Sequence, residues 1–119
     1  MADPFAEYVR AHADRCRRER QAAARRAAEA RAAAEAAARR IGARTGARRV
    51  ILFGSLARNE FHERSDIDLA VEELPDGAWI DALAAADGTP FEMQVVPLEW
   101  APAYIREAVA REGVVLWSR

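Results

Sequence analysis

In the run Ser65-Asp66-Ile67-Asp68-Leu69 two carboxylates alternate with apolar side chains, and ten residues earlier the pair Gly54-Ser55 follows the apolar run Val50-Ile51-Leu52-Phe53. Side chains two apart on a strand point the same way, roughly 6.5 Å apart along it. Asp66 and Asp68 can therefore converge on divalent ions held about 3.5–4 Å apart. Glycine at the end of a strand opens backbone geometries closed to other residues and lets a phosphate approach the main chain. Ser55 adds a hydroxyl donor and a candidate N-cap. If Leu56 to Glu60 starts a helix, its free N–H groups form an anion site aimed where the strand ends. Arg58, one turn further on, is placed to contact phosphate or simply to face solvent. Either motif alone also describes a capped turn or a solvated strand face. Together they put two like charges on one face beside a central strand, where they repel unless cations or donors compensate them.

The elements that must position these residues follow from patterning. Val50 to Ser55 is apolar on both faces and reads as a central strand. Ile67 to Glu72 alternates, with Ile67, Leu69 and Val71 on one face and Asp66, Asp68, Ala70 and Glu72 on the other. Leu74 to Gly77 is a turn. Trp79 to Ala86 reads as a short helix with Trp79, Ile80 and Leu83 inward. Phe91 to Leu98 reads as a third strand with Glu92 and Gln94 on one face, Pro102 to Glu112 as a helix closed by Gly113, and Val114 to Trp117 as a last strand.

Ahead of them, Pro4 to Arg40 is Ala, Arg and Glu without internal Gly or Pro, a helix of about ten turns. Asp3 and Pro4 suit its N-cap and first position, and Gly42 its stop. Its larger apolar residues, Phe5, Tyr8, Val9 and Ile41, lie at the two ends. The surface between is nearly pure alanine, suited to close helix packing, so part of the helix is expected to project or to need a partner. The fold class expected is α/β (α+β): a mixed sheet of about four strands with flanking helices, with residues 1–46 as the helical arm and 47–119 as the domain.

Composition narrows the function. The 119 residues are 51% hydrophobic, enough for one modest core. No apolar run approaches the length of a membrane span and no secretory pattern opens the chain, so a cytoplasmic protein is expected. The single Cys16 makes no internal disulfide, and His12 and His62 have no matched metal spacing. Trp79, Trp100 and Trp117 read as packing residues rather than base-stacking platforms. The net charge of −1 is unevenly divided: residues 1–49 hold thirteen Arg against six acids, and residues 50–119 five Arg against thirteen acids. The basic arm fits an acidic partner, nucleic acid, pairing with a second copy, or simple solvation of an alanine helix. No aromatic residues interleave its arginines, so nucleic acid is the less favoured partner.

Gly54, Ser55, Ala57, Arg58, Ser65, Asp66, Ile67, Asp68 and Leu69 resemble the signature of the minimal nucleotidyltransferases of the DNA polymerase beta superfamily. The closing run Arg111 to Trp117 is similar to the end of that domain. The resemblance spans about Arg48 to Trp117 and implies a polymerase-beta-like nucleotidyltransferase fold. It implies that Gly54, Ser55, Arg58 and Ser65 bind a nucleoside triphosphate, ATP foremost, and that Asp66 and Asp68 hold two Mg²⁺ ions. An acceptor hydroxyl would then attack the α-phosphate and release pyrophosphate. The family's third carboxylate, a metal ligand that helps deprotonate the acceptor, aligns with Gln94, which can ligate through its carbonyl but takes no proton at neutral pH. Glu92, two residues earlier, could take that catalytic, metal-ligating place. Asn59 stands where the family has glycine. So short a chain leaves little room for an acceptor-binding domain. Minimal members pair with small helical HEPN proteins, RNase toxins, and some adenylylate them as antitoxins. The same resemblance allows a second reading, a degenerate antitoxin or subunit that neutralises a helical partner by occlusion.

Overall fold

The computed structural model describes residues 3–119. Helix α1 runs Pro4–Thr45, followed by β1 (Arg49–Phe53), β2 (Ile67–Glu72), α2 (Trp79–Ala86), β3 (Met93–Pro97), a 3₁₀ turn at Leu98–Trp100, α3 (Ala103–Glu112) and β4 (Val114–Ser118). The strands form one sheet in the order β3-β2-β1-β4, with β1 antiparallel to both its neighbours and β2 parallel to β3. A mixed four-stranded sheet with flanking helices and a long N-terminal helix is the α/β architecture expected.

Strand alternation sorts the core into two sides. Val50, Leu52, Ile67, Leu69, Val71 and Val95 pack on the side covered by α1 and α2. Ile51, Phe53 and Ala70 pack on the other side against Val109, Ile105 and Ala108 of α3 and Leu98 of the 3₁₀ turn. Asp68 alternates with Leu69 and so falls on the α3 side, as does Gln94, its partner across the parallel pair. The acidic face of β2 is thus half core: Ala70 is fully buried.

Helix α1 begins as expected, with the Asp3 carboxylate accepting from the Phe5 N–H at 3.0 Å and Pro4 following. It does not stop at Gly42. It continues to Thr45 and is capped by Gly46, in the left-handed region at φ 72°, whose N–H donates to the Gly42 carbonyl. Gly42 serves packing instead: a Cβ there would overlap the indole of Trp117 on β4. A glycine near a helix end is thus as readily a contact point as a stop.

Residues 30–45 of α1 form its buried stretch, with Ala30, Ala34, Ala37, Ala38 and Ile41 fully covered, whereas the residues from Asp3 to Arg25 are exposed apart from Ala6 and Cys16. At 1.5 Å per residue that leading stretch projects roughly 30 Å, in a molecule extending 72 × 28 × 20 Å. Three arginines fasten the rest. Arg31 donates to the Leu56 carbonyl at 3.1 Å, Arg40 donates to the Ala85 carbonyl at 2.8 Å, and the Arg26 guanidinium lies 5.0 Å from the centre of the Phe91 ring. These arginines therefore do more than solvate alanine.

The expected short helix exists, but with a different inner face. Ala82, Ala85 and Ala86 are buried and Trp79 packs partly against the core, whereas Ile80 and Leu83 point outward. The alanine faces of α1 and α2 meet, and small side chains allow that close approach where Ile80 and Leu83 would separate the helices. The third strand is also shorter than the Phe91–Leu98 expectation, because Phe91 and Glu92 precede the ladder and Leu98 turns into the 3₁₀ segment. Among the described residues no helix is long and apolar enough to cross a membrane.

Gly42 gives a direct check on the packing of α1. Alanine has the better helix propensity, yet Gly42→Ala is expected to lower unfolding stability in urea by about 1–3 kcal/mol because the indole must move. Adding Trp117→Leu to Gly42→Ala should restore part of the loss if the clash is its cause.

Candidate functional site

One end of the sheet gathers the residues singled out above. There β1 ends, β2 and β3 begin side by side, and the C-terminal end of α3 turns into β4. In the ladder Phe53 faces Asp68, and Asp68 faces Gln94. Gly54 follows β1 and takes φ 82°. A Cβ there would overlap Asp68 Oδ2 and stand 3.0 Å from its Cγ. Two independent demands, a left-handed backbone and contact with a carboxylate, therefore fix glycine at this position.

The segment after Gly54 is a compact turn rather than a helix. Arg58 N–H donates to Gly54 O at 3.1 Å, Asn59 N–H to Leu56 O at 3.3 Å, and Glu60 N–H to Ser55 O at 2.8 Å. Asn59 adopts φ 60°, a conformation asparagine tolerates better than most residues, which is how it serves where glycine was expected. The turn is anchored by Leu56, 1% exposed in the core beneath α1. Phe61 then packs edge-on against Phe91, with ring centres 6.1 Å apart. Ser65 closes the next turn, its hydroxyl accepting from the His62 N–H at 3.1 Å and its own N–H donating to the His62 carbonyl at 2.9 Å. The chain thus arrives at Asp66 from a fixed direction.

These elements surround a cavity of about 360 Å³, lined by Gly54, Ser55, Arg58, Asp66, Asp68 and Gln94, with Tyr104, Ile105 and Glu112 contributed by α3. Gln94 Nε2 donates to Asp66 Oδ2 at 3.1 Å. Arg58 is held between Glu60, at 3.0 Å from its Nε, and Glu112, at 2.7 Å from its Nη1. Both contacts raise its already high pKa. Glu112 also accepts from the Gly54 N–H at 2.8 Å.

The Asp68 carboxyl is pushed up to about 6, first by burial and then by the neighbouring charge of Asp66, with Arg58 opposing. Such a carboxylate pair gains from a cation. Its donors are carboxylate oxygens with an amide beside them, which suits Mg²⁺ bound by one or two carboxylates while water and phosphate complete the octahedron. Among the described residues no group of three or more His, Cys, Asp and Glu side chains converges on a metal position.

Not every expected residue lies here. Ser65 is outside the cavity lining and spends its hydroxyl on the turn. Glu92 is exposed and lines a different depression, with Ile80, Leu83 and Phe91. Two residues without an expected role do line the site. Tyr104, 72% exposed, presents an aromatic ring at the rim. Glu112 belongs to the run that marks the end of the domain, and nothing in its sequence context links it to Gly54.

The profile of the polymerase beta nucleotidyltransferases matches residues 41–119. No curated protein matches the chain. Among solved structures, one described as a toxin-antitoxin with AMP-PNP contains a chain 29% identical to this one, with a TM-score of 0.50. The alignment covers 61% of this chain and 62% of that one, so this chain spans less than two thirds of that relative's length. A solved structure of a protein from Sulfolobus solfataricus shares the fold, at a TM-score of 0.55 and 16% identity over 82% of this chain and 87% of its own. With its Gly54-Ser55 turn and Asp66/Asp68 pair inside the matched region, the chain belongs to the polymerase beta nucleotidyltransferase family.

Proposed function

We propose that this chain transfers a nucleoside monophosphate, AMP from ATP, to a hydroxyl of a partner protein. We further propose that it is the antitoxin of a pair whose toxin is a helical HEPN RNase. The observation that carries the first step is the convergence of Asp66, Asp68 and the Gly54-Ser55 turn on one cavity. The setting is supported by the likeness to a chain in the structure of a toxin-antitoxin with AMP-PNP.

In this reading Asp66 and Asp68 hold Mg²⁺, which when bound neutralises the triphosphate and lowers the pKa of the attacking hydroxyl. Ser55 and Arg58 face the phosphates, and the exposed ring of Tyr104 offers the base a surface to stack on. Oxygen of the acceptor hydroxyl bonds to the α-phosphorus as the bond to the bridging oxygen breaks, releasing pyrophosphate, and the hydroxyl proton leaves to water. Gln94 donates to Asp66 and orients it, but accepts no proton. The site thus works with two carboxylates where the family pattern has three, unless Glu92 reaches it on binding.

A second reading, neutralisation by occlusion, is favoured by that same Gln94 amide and by the engagement of Arg58 with two carboxylates.

Labelled ATP, Mg²⁺ and the product of the adjacent gene should yield labelled partner, and Asp66→Asn with Asp68→Asn should cut labelling by about 100-fold or more. A double variant that neutralises the partner as well as wild type would select occlusion. Gln94→Asp should raise the transfer rate, up to about 100-fold, if the missing base limits it. Loss of transfer in Glu92→Ala but not in Gln94→Ala would put the third ligand at Glu92 instead.

The raised Asp68 pKa has two consequences for pH. Between pH 3.8 and about 6 the folded chain keeps a proton that the unfolded chain has lost. Its ionisation therefore opposes folding, increasingly through that window and fully above it. Metal-free Asp68→Asn should accordingly melt higher than wild type at pH 7.5, with no such advantage at pH 3.5. Mn²⁺ binding, followed by electron paramagnetic resonance, should weaken as pH falls through 6, because the metal competes with the proton.

A further inference from the structure

Glu112 takes no part in the chemistry proposed above, yet its side chain is only 9% exposed at the cavity wall. A buried carboxylate is costly unless donors compensate it. Here Oε2 accepts from the Gly54 N–H at 2.8 Å and from Arg58 at 2.7 Å, while Arg111 stands 3.3 Å from Oε1. The backbone fixes where this carboxylate sits. A Cβ on Gly113 would overlap the Val109 carbonyl oxygen and come within 2.8 Å of Ile51 Cγ2. Glycine therefore lets the chain pass directly from α3 into β4, where Val114 faces Leu52 of β1. Glu112 is thereby delivered beside the end of β1, two residues from the position that pairs with it.

Gly54 is consequently held on two sides, through its N–H by Glu112 and across its Cα by Asp68. With that N–H committed, Ser55 and the remaining nitrogen of Arg58 stand at the cavity wall as donors for a phosphate. We propose that Glu112 is the positioning residue of the nucleotide site, holding the Gly54 turn and the Arg58 guanidinium in the arrangement that receives the triphosphate. This inference rests on the nucleotide-binding reading. It assigns a role to the Arg111-Glu112-Gly113 run, which otherwise only ends the domain.

The test uses the full chain with Glu112→Gln, Glu112→Ala and Arg58→Ala. Nitrogen-edited NMR follows the Gly54 amide without nucleotide, and calorimetry measures ATP binding in the presence of Mg²⁺. Glu112→Ala should speed exchange of the Gly54 amide and weaken ATP binding by about 10–100-fold, the range for lost supporting contacts around a site. Glu112→Gln keeps an acceptor for Gly54 but loses the charge on Arg58, and should fall between. Adding Arg58→Ala to Glu112→Ala should cost little more, because the two act as one unit. Mn²⁺ binding without nucleotide should change less than ATP binding, because neither residue is placed as a metal ligand and both act on Asp68 only through charge.

A purely structural role would lower the melting temperature while leaving the ATP affinity of the folded protein unchanged, and would overturn the proposal. So would tighter ATP binding in Glu112→Gln, which would make Glu112 a competitor for the phosphate's donors. If Glu112→Ala does not fold, Glu112→Gln decides by the same two measurements. A wild-type chain that binds no ATP, with the Gly54 amide still released in Glu112→Ala, would defeat the nucleotide reading and this proposal with it. Unchanged Gly54 exchange with normal ATP binding would defeat the role of Glu112 alone.

Discussion

The backbone of Gly54 lies against the carboxylate of Asp68, and the site is organised around that contact. It follows from the pairing of Phe53 with Asp68, which leaves the residue after β1 no room for a side chain. Only a glycine, at φ 82°, can turn the chain away there. The contact joins what would otherwise be two separate devices, a turn suited to phosphate and a carboxylate pair suited to divalent cations. A nucleotidyltransferase needs both within the length of one triphosphate. The other contributions, Glu112 beneath the turn, Arg58 beside it and Gln94 on Asp66, are made around this junction.

Asp68 carries the cost of that arrangement. Partial burial and the charge of Asp66 hold its pKa near 6, so in the absence of a cation it weakens the fold at neutral pH. A cation held by the two carboxylates would offset that cost. The scaffold that bears the cost is thin: one sheet, short helices and a long helix whose buried face is mainly alanine. Alanine contributes little area per residue, so close approach and specific arginine contacts matter more. Arg31 and Arg40 reach carbonyls of the turn after β1 and of the end of α2, which ties α1 to the same turn that borders the site.

Much of this was legible in the sequence. Strand alternation placed Asp66 and Asp68 on one face and Ile67, Leu69 and Val71 on the other, because a half-buried strand has few ways to satisfy both water and core. The order of elements and the N-terminus of α1 were legible for the same reason, that local signals and packing agree. Gly42 and α2 were not. Helix-stop signals cannot register an indole from the other end of the chain, and apolar size cannot register that α2 meets α1 through alanines. The helix expected after Ser55 became a turn once Leu56 was drawn into the core and Asn59 accepted a left-handed conformation. Glu112 was invisible for a different reason. Its partner is 58 residues away, and a Glu at a helix end carries no local mark of such a bond.

Whether Asp66, Asp68 and the Gly54-Ser55 turn form one metal-dependent nucleotide site is decided by diffraction at the manganese absorption edge from crystals grown with Mn²⁺ and a non-hydrolysable ATP analogue. Anomalous peaks are expected within about 2.5 Å of the Asp66 and Asp68 carboxylate oxygens, with the triphosphate lying over Ser55. A nucleotide bound elsewhere, or bound at this cavity with no manganese at the two aspartates, would contradict it.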